Sequence, residues 1–226
     1  MAGLKIRSVL VTGSNRGIGL EFVKQFAEAP KPPELIFAAC RNPEAAQSQE
    51  LKDLAAKHPN IVVVKLEITD PASVDTAVKS VQQKLKGAGL SLLINNAAIM
   101  SPSTLETLTA EDMMNVYATN VIGPMLVTKA LHPLLKKGAQ ENCSKSSIVH
   151  ISAGLGSMEE VPSLFTAFPA ISYRCSKAAL NMLSRCHAEG YKEDGIISIA
   201  IHPGWVQTDM GGRERAPLTP KKSMVR

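Results

Sequence analysis

The chain has 226 residues, which is long enough for one domain with a sizeable hydrophobic core. Hydrophobic residues make up 45% of the chain and charged residues 20%, a balance that excludes a disordered or fibrous protein. The formal net charge is +5, and the Lys and Arg residues are scattered rather than clustered. We therefore expect no nucleic acid and no membrane among its partners, since a small anionic ligand would account for these charges equally well.

The cysteines and the lack of targeting signals indicate a reducing compartment. Cys40, Cys143, Cys175 and Cys186 show no metal-ligand spacing, and no secretion signal precedes them. No apolar run reaches the length of a membrane span. We therefore expect a soluble, cytoplasmic protein with free thiols and no metal site.

A glycine-rich turn lies between the first predicted strand and the first predicted helix. Residues 9–11 form a short apolar run of the kind buried in a parallel sheet, and Gly13, Gly17 and Gly19 follow it. Because glycine has no Cβ, the backbone there can approach a ligand closely, and the free N–H groups of the next helix attract an anion. The turn therefore predicts a site for the pyrophosphate of a dinucleotide. The simpler alternative is a tight strand-to-helix connection.

The second strand bears on the choice of dinucleotide. Residues 35–40 form another apolar strand, followed by Arg41 and by a helix that opens at Pro43. An acidic residue at this point would bind the 2′-hydroxyl of an adenosine ribose, whereas an arginine accommodates a 2′-phosphate. Arg41, together with Arg16 in the glycine turn, therefore favours NADP over NAD. The alternative is that both arginines are solvated surface charges.

The third and fourth strands continue the pattern. Residues 61–66 form an apolar strand whose carboxyl end places Glu67 and Ile68 beside an adenine pocket. Residues 90–94 form the fourth strand, which leads into an Asn-Asn-Ala-Ala segment that begins at Asn95. The small alanines of this segment allow a close approach of a ligand.

Two polar residues stand out in the next part of the chain. Asn120 lies inside a long helical stretch from about residue 110 to 137; since Asn is a poor helix-interior residue, it is either exposed or held there by its hydrogen bonds. Ser152 ends a fifth strand, residues 147–152, at the edge of the sheet where ligands bind in parallel folds. The period of two puts His150 on the same face, where we expect it to pack.

The last part of the chain holds a pair of residues on one helix face. An irregular segment with apolar side chains, predicted to be a substrate-side loop, precedes Tyr173, and Lys177 follows Tyr173 by four residues, which places both side by side. Residues 196–201 form a sixth strand. Strands and helices thus alternate throughout, which predicts a single domain, residues 1–226, with a doubly wound parallel α/β sheet, the Rossmann fold.

The motifs, taken in order, resemble the short-chain dehydrogenase/reductase family over residues 6–210. They are Thr12 to Gly19 for Thr-Gly-x-x-x-Gly-x-Gly, Asn95 to Ala98 for Asn-Asn-Ala-Gly, Asn120, Ser152, Tyr173 with Lys177, and Pro203 with Gly204. Ala98 and Glu67 depart from the family's usual Gly and Asp. The chain looks most like the sniffer-type carbonyl reductases, close to the bacterial C-factor proteins.

The resemblance implies a role for each motif. Tyr173 would donate a proton to a carbonyl oxygen, and the nearby Lys177 ammonium would lower the ordinary tyrosine pKa of about 10. Ser152 would hold the substrate oxygen, and Asn120 would support a water that relays protons to Lys177. The residues expected to bind NADP(H) are Gly13, Asn15, Arg16, Gly17, Ile18, Gly19, Arg41, Glu67, Ile68, Asn95, Ala97, Tyr173, Lys177, Pro203, Gly204, Val206 and Thr208.

Two functions remain open at this point. The first is an NADPH-dependent carbonyl reductase for a small-molecule aldehyde, ketone or quinone; the second is an NADP-binding regulatory or interaction protein without turnover. The second is motivated by the C-terminus, because the chain stops at Arg226 while family members continue through another helix and strand. We therefore expect the sheet to end at the sixth strand with uncovered apolar surface. A homodimer through the helices that carry Asn120 and Tyr173 is compatible with the sequence.

Overall fold

A computed structural model describes residues 6–141 and 145–224; Cys143 and Arg226 lie outside them. Six parallel strands form one sheet in the order β3-β2-β1-β4-β5-β6 within these residues. The strands are β1 (Ser8–Thr12), β2 (Leu35–Cys40), β3 (Ile61–Lys65), β4 (Leu92–Asn95), β5 (Ser146–Ile151) and β6 (Ile196–Ile201). The order reverses between β1 and β4, which opens a crevice at their carboxyl ends. The predicted doubly wound α/β fold is confirmed.

Helices cover both faces of the sheet. They are α1 (Gly17–Ala27), α2 (Gln49–Lys57), α3 (Pro71–Leu85), α4 (Ala110–Tyr117), α5 (Gly123–Glu141), α6 (Val161–Leu164), α7 (Ile171–Gly190) and α8 (Pro220–Met224). Successive residues of β1 face opposite sides: Leu10 packs with residues of α3 and α5, whereas Val9 and Val11 pack with residues of α1 and α2. A strand buried on both faces must be apolar throughout, as the run at residues 9–11 is. No helix in these two ranges combines the length and the apolar character that crossing a bilayer requires.

One predicted helix start is wrong. The helix expected to open at Pro43 begins at Gln49, after a 3₁₀ turn at Ala46–Ser48. Asn42 explains the delay, because its side chain accepts a hydrogen bond from the Glu44 N–H at 3.1 Å and its carbonyl accepts one from Ser48 Oγ at 2.8 Å. Such local bonds stabilise a turn in competition with a helix.

The long helical stretch around Asn120 contains a π-helical turn that was not predicted from the sequence. Helices α4 and α5 are joined by a π-helical turn at Ala118–Ile122. An extra residue per turn of this kind is often found at functional sites, because it redirects a side chain without ending the helix. Asn120 lies in the middle of this turn.

The sheet ends at β6 in the described part of the chain, as expected. Ile197, Ile199 and Ile201 are 38%, 44% and 41% exposed, so the predicted apolar surface at this end of the sheet is present. In the segment that follows β6, an isolated backbone bridge joins Val206 to Leu218. The segment then ends in α8, a short helix that the sequence analysis did not anticipate and that packs against α1.

Candidate active site

The carboxyl ends of the strands open into a cleft of about 500 Å³. Predicted site residues that line it are Gly13, Asn15, Arg16, Gly17, Ile18, Arg41, Glu67, Ile68, Ala97, Ser152, Tyr173, Lys177, Pro203, Gly204, Val206 and Thr208. Gly19, Asn95 and Asn120 do not line the cleft; each makes contacts within the protein instead. The fold thus brings together residues from every part of the chain at one edge of the sheet.

The glycine turn forms a tight cradle at one end of the cleft. Gly13 and Gly17 have positive φ angles of 64° and 56°, which L-residues with side chains rarely adopt. A Cβ at Gly13 would lie 2.8 Å from Cα of Ala97, and one at Gly19 would lie 2.2 Å from the carbonyl oxygen of Gly13. The N-cap residue of α1, Arg16, makes no side-chain capping bond, so it leaves the first amides of the helix available to an anion. The cradle therefore fits the pyrophosphate of a dinucleotide.

Asn96 closes this cradle from the loop after β4. Its Nδ2 donates hydrogen bonds to the carbonyl oxygens of Thr12 at 2.9 Å and Gly13 at 3.1 Å. In return, Thr12 Oγ1 accepts from the backbone amides of Asn96 and Ala97, both at 3.0 Å. These hydrogen bonds consequently hold the glycine turn and the loop after β4 together as one unit.

Arg16 and Arg41 lie beside the cradle, and each has a carboxylate partner. Arg16 Nη1 is 2.6 Å from Asp209 Oδ2, and Arg41 Nε is 3.8 Å from Glu67 Oε2. Both arginine side chains are more than half exposed, so each pair contributes at most about 1 kcal/mol. Because the ion pairs are weak, either guanidinium can exchange its carboxylate for a phosphate group.

Tyr173 and Lys177 lie side by side on α7, as their spacing predicts. Both are buried, with 8% and 2% of their surface exposed. Lys177 Nζ donates a hydrogen bond to the carbonyl oxygen of Ile151 at 2.7 Å and lies 5.4 Å from the centroid of the Tyr173 ring. The end of β5 therefore fixes the position of the lysine on the helix.

Burial dominates the proton affinities of this pair. It raises the pKa of Tyr173 to about 12 and lowers the pKa of Lys177 to about 8. We expected the positive charge of Lys177 to lower the pKa of Tyr173. Instead the pKa is raised, because burial removes water from the phenolate and this effect outweighs the attraction between the phenolate and the ammonium. Tyr173 therefore carries its proton at neutral pH.

Asn120 is held in place by hydrogen bonds, the second of the two alternatives left open by the sequence. Its Oδ1 accepts from the backbone amide of Ile99 at 2.9 Å, and its Nδ2 donates to the Ile99 carbonyl at 2.8 Å and to Ser176 Oγ at 3.0 Å. The side chain is 1% exposed. Asn120 thus joins the loop after β4 to α7, one residue before Lys177.

Ser152 has a partner that sequence reasoning missed. Its Oγ donates to Oδ1 of Asn181 at 2.6 Å, and among the described residues no hydrogen bond joins it to Tyr173. Asn181 is on the same face of α7 as Tyr173 and Lys177, since the three follow one another at steps of four residues. That spacing is the signal that would have identified it.

Asn95 and His150 belong to the core behind the cleft. Asn95 Nδ2 donates to Thr128 Oγ1 at 3.0 Å and contacts Nδ1 of His150 at 3.4 Å. His150 is fully buried, and its Nε2 lies 3.3 Å from Nδ1 of His187. Burial, with smaller contributions from the neighbouring His187 and Lys177, lowers the pKa of His150 to about 3, so the ring is neutral. It packs against its neighbours, as we expected.

Apolar side chains from two segments of the chain also line the cleft. Leu155, Leu164 and Phe168 come from the segment between β5 and α7, and Trp205 and Met210 come from the segment after β6. The Phe168 ring meets the Trp205 ring edge to face, with centroids 5.2 Å apart. Such a lining suits an apolar ligand.

Comparisons with known proteins agree with this geometry. A sequence profile described as short chain dehydrogenase matches residues 7–218. An uncharacterised oxidoreductase of Schizosaccharomyces pombe is 36% identical over 201 residues, which cover 88% of this chain and 73% of the relative.

Solved structures include carbonyl reductases. An NADPH-bound carbonyl reductase from chicken fatty liver has a TM-score of 0.95 and 52% identity, and the match covers 100% of this chain and 86% of that one. Carbonyl reductase Sniffer of Drosophila melanogaster has a TM-score of 0.90 and 34% identity, over 97% of this chain and 88% of that one. The likeness to sniffer-type carbonyl reductases expected from the motifs is confirmed.

Proposed function

Because this chain belongs to the short-chain dehydrogenase family and is an oxidoreductase, we propose that it is an NADPH-dependent carbonyl reductase acting on an aldehyde, ketone or quinone. The observation that carries the proposal is the buried pair of Tyr173 and Lys177 in a cleft that is also lined by the glycine cradle and by apolar side chains. A proton donor and an anion site in one cleft are what dinucleotide-dependent reduction requires.

NADP(H) is the cofactor that the lining residues fit. The cradle of Gly13, Gly17 and the start of α1 would hold its pyrophosphate, and Arg16 and Arg41 would hold its 2′-phosphate. When bound, the cofactor supplies the hydride for the carbonyl carbon. The solved structure of the chicken carbonyl reductase contains NADPH, which supports this choice.

Tyr173 supplies the proton. Its hydroxyl is neutral at pH 7, since even the ordinary tyrosine pKa is about 10 and burial raises it further. It donates its proton to the carbonyl oxygen as that oxygen gains negative charge. The phenolate that remains is stabilised by the Lys177 ammonium, which is still mostly protonated at pH 7 since its pKa is about 8. The hydrogen bond from Lys177 to the Ile151 carbonyl keeps that charge close to the ring.

Ser152 and Asn120 assist at the substrate oxygen and at Lys177. A serine hydroxyl has one hydrogen, and Ser152 directs it to Asn181; Ser152 can donate to a substrate only after that hydrogen rotates away. The Asn181 amide can then turn and donate its Nδ2 to Ser152 Oγ, which keeps the oxygen in place. Asn120 would support a water that passes protons to Lys177.

The test is NADPH consumption by the purified protein with a panel of aldehydes, ketones and quinones, with NADH and the variant Tyr173→Phe in parallel. We expect turnover that prefers NADPH and is lost in the phenylalanine variant, while NADPH binding remains. Full turnover by folded Tyr173→Phe would refute the mechanism. A folded protein that binds NADPH without turnover would support the alternative, an NADP-binding regulatory protein.

We also propose that the protein is cytoplasmic and forms a homodimer. Helices α4 and α7 expose large apolar side chains, Met114 and Met182, each 65% exposed, and Tyr117 is 41% exposed. A second copy packed on this face would bury them. Sedimentation velocity tests the dimer: we expect wild type to sediment as a dimer and Met182→Glu as a monomer, and a monomeric wild type would refute this part of the proposal.

A further inference from the structure

Arg174 is a buried cation next to the proposed proton donor. It follows Tyr173 on α7 and is only 6% exposed. Among the residues that the structure describes, its hydrogen bonds all go to backbone carbonyls of the segment between β5 and α7. Nε donates to Phe168 and Pro169 at 3.1 and 2.9 Å, Nη2 donates to Phe168 at 2.9 Å, and Nη1 makes a long contact with Leu155 at 3.5 Å.

These bonds join the two ends of one segment to the helix. Leu155 lies near its start, and Phe168 and Pro169 lie near its end. The guanidinium also lies 5.9 Å from the centroid of the Phe165 ring, within range of a cation–π contact. One side chain thus holds a segment of about fifteen residues against α7.

The segment has little regular structure of its own. It contains one 3₁₀ turn, Gly154–Gly156, and the four-residue helix α6. It joins α7 through Ala170, whose φ of 36° is in the left-handed region that residues with side chains rarely occupy. Ordering such a segment costs conformational entropy, which the hydrogen bonds of Arg174 offset.

The segment also forms the apolar wall of the cleft. Leu155, Leu164 and Phe168 face the cleft, and Phe168 meets Trp205 across it. The Phe168 carbonyl receives two of the guanidinium bonds, so Arg174 is bonded directly to the backbone of the residue that carries this ring.

We propose that Arg174 is a positioning residue that sets the apolar wall of the substrate end of the cleft. Its kinetic consequence rests on the proposed carbonyl reductase activity, whereas its structural consequence does not. Lysine cannot replace it, because an ammonium lacks the planar fork that reaches several carbonyls at once. Loss of the fork should release the wall and leave Lys177 in place, since Lys177 is held separately by the Ile151 carbonyl.

The chain has a single tryptophan, Trp205, so its fluorescence reports on this wall. The experiment measures acrylamide quenching of Trp205 in Arg174→Met, Arg174→Lys and Phe168→Ala. The matched control is Arg185→Met on the same helix, because Arg185 is 74% exposed and pairs only with Glu189 among the described residues. We expect both Arg174 variants to show the increased quenching of Phe168→Ala, and the control to match wild type.

Steady-state kinetics provide the second readout. For a bulky aryl ketone, we expect KM to rise about tenfold in Arg174→Met with kcat nearly unchanged, because substrate contacts are lost while the proton donor is not. For a small aldehyde that does not reach the wall, KM should stay close to wild type.

Wild-type quenching in folded Arg174→Met would overturn the proposal. If that variant does not fold, Arg174→Lys decides, and wild-type quenching there would overturn it equally. If wild type reduces no carbonyl, the proposed reductase activity fails, while the quenching comparison still settles the position of the wall.

Discussion

Lys177→Met should stabilise the fold while it abolishes the proposed activity. Burial lowers the pKa of Lys177 from 10.5 to about 8, so the folded protein holds this proton less tightly than the unfolded chain. By linkage, the charged lysine costs about 3 kcal/mol of folding free energy at pH 7 and about 1 kcal/mol at pH 9.5. The variant loses the hydrogen bond to Ile151, worth about 1 kcal/mol. We therefore expect a net gain of about 2 kcal/mol at pH 7.

The pH dependence has a definite sign. Since the unfolded chain binds the extra proton, the cost of Lys177 is complete below pH 8 and disappears as the pH rises towards 10.5. Urea denaturation of both proteins at pH 7 and pH 9.5 measures the difference between them, in which other titrating groups largely cancel. The advantage of the methionine variant should shrink by about 2 kcal/mol over this interval. A difference that does not change with pH, or a variant less stable at pH 7, would refute the reasoning.

Three further predictions concern the cradle, the arginines and the start of α7. Gly13→Ala should lower stability by at least about 2 kcal/mol and weaken NADPH binding, measured by denaturation and by cofactor fluorescence, because its Cβ would meet Ala97 at 2.8 Å at a positive φ. Removing the side chains of Arg16 and Arg41 together should weaken NADPH binding about 100-fold, because two charge-assisted bonds to the 2′-phosphate are lost. NADH binding, measured in the same titration calorimetry, should stay within about threefold of wild type. Equal losses for both cofactors would contradict this role. Ala170→Val should lower stability by about 1–2 kcal/mol in thermal denaturation, because a β-branched residue is strained at a φ of 36°.

The strands and their alternation with helices could be predicted from the sequence, and the reason is physical. A strand buried on both faces of a parallel sheet must be apolar along its whole length, so an apolar run such as residues 35–40 can be predicted to be a strand. The doubly wound topology also followed, because few alternatives remain once strands and helices alternate. The start of α2 was missed, because bonds around Asn42 that stabilise a turn carry no clear periodic signal.

The same distinction applies to the candidate site: residues in local motifs could be predicted from the sequence, and residues whose role depends on distant or irregular partners could not. Residues that belong to local motifs, such as the glycine turn or Tyr173 with Lys177, were placed in one cleft by reasoning from the sequence. Asn181 and Arg174 were missed, because their partners are distant in the chain or lie in an irregular segment. The direction of the Tyr173 pKa was also missed, since the extent of burial is a property of the packed structure and not of spacing.

The pair of hydrogen bonds between Asn120 and Ile99 has a consequence for local motions. Ile99 lies in a loop, where backbone amides usually exchange their hydrogens with solvent within seconds to minutes. Here the amide is bonded to a fully buried side chain, and the carbonyl of the same residue is bonded to the other end of that side chain. The Ile99 amide can therefore exchange only when its bond to Asn120 breaks, so that the loop and the π-helical turn separate. Its exchange rate would report the free energy of that separation.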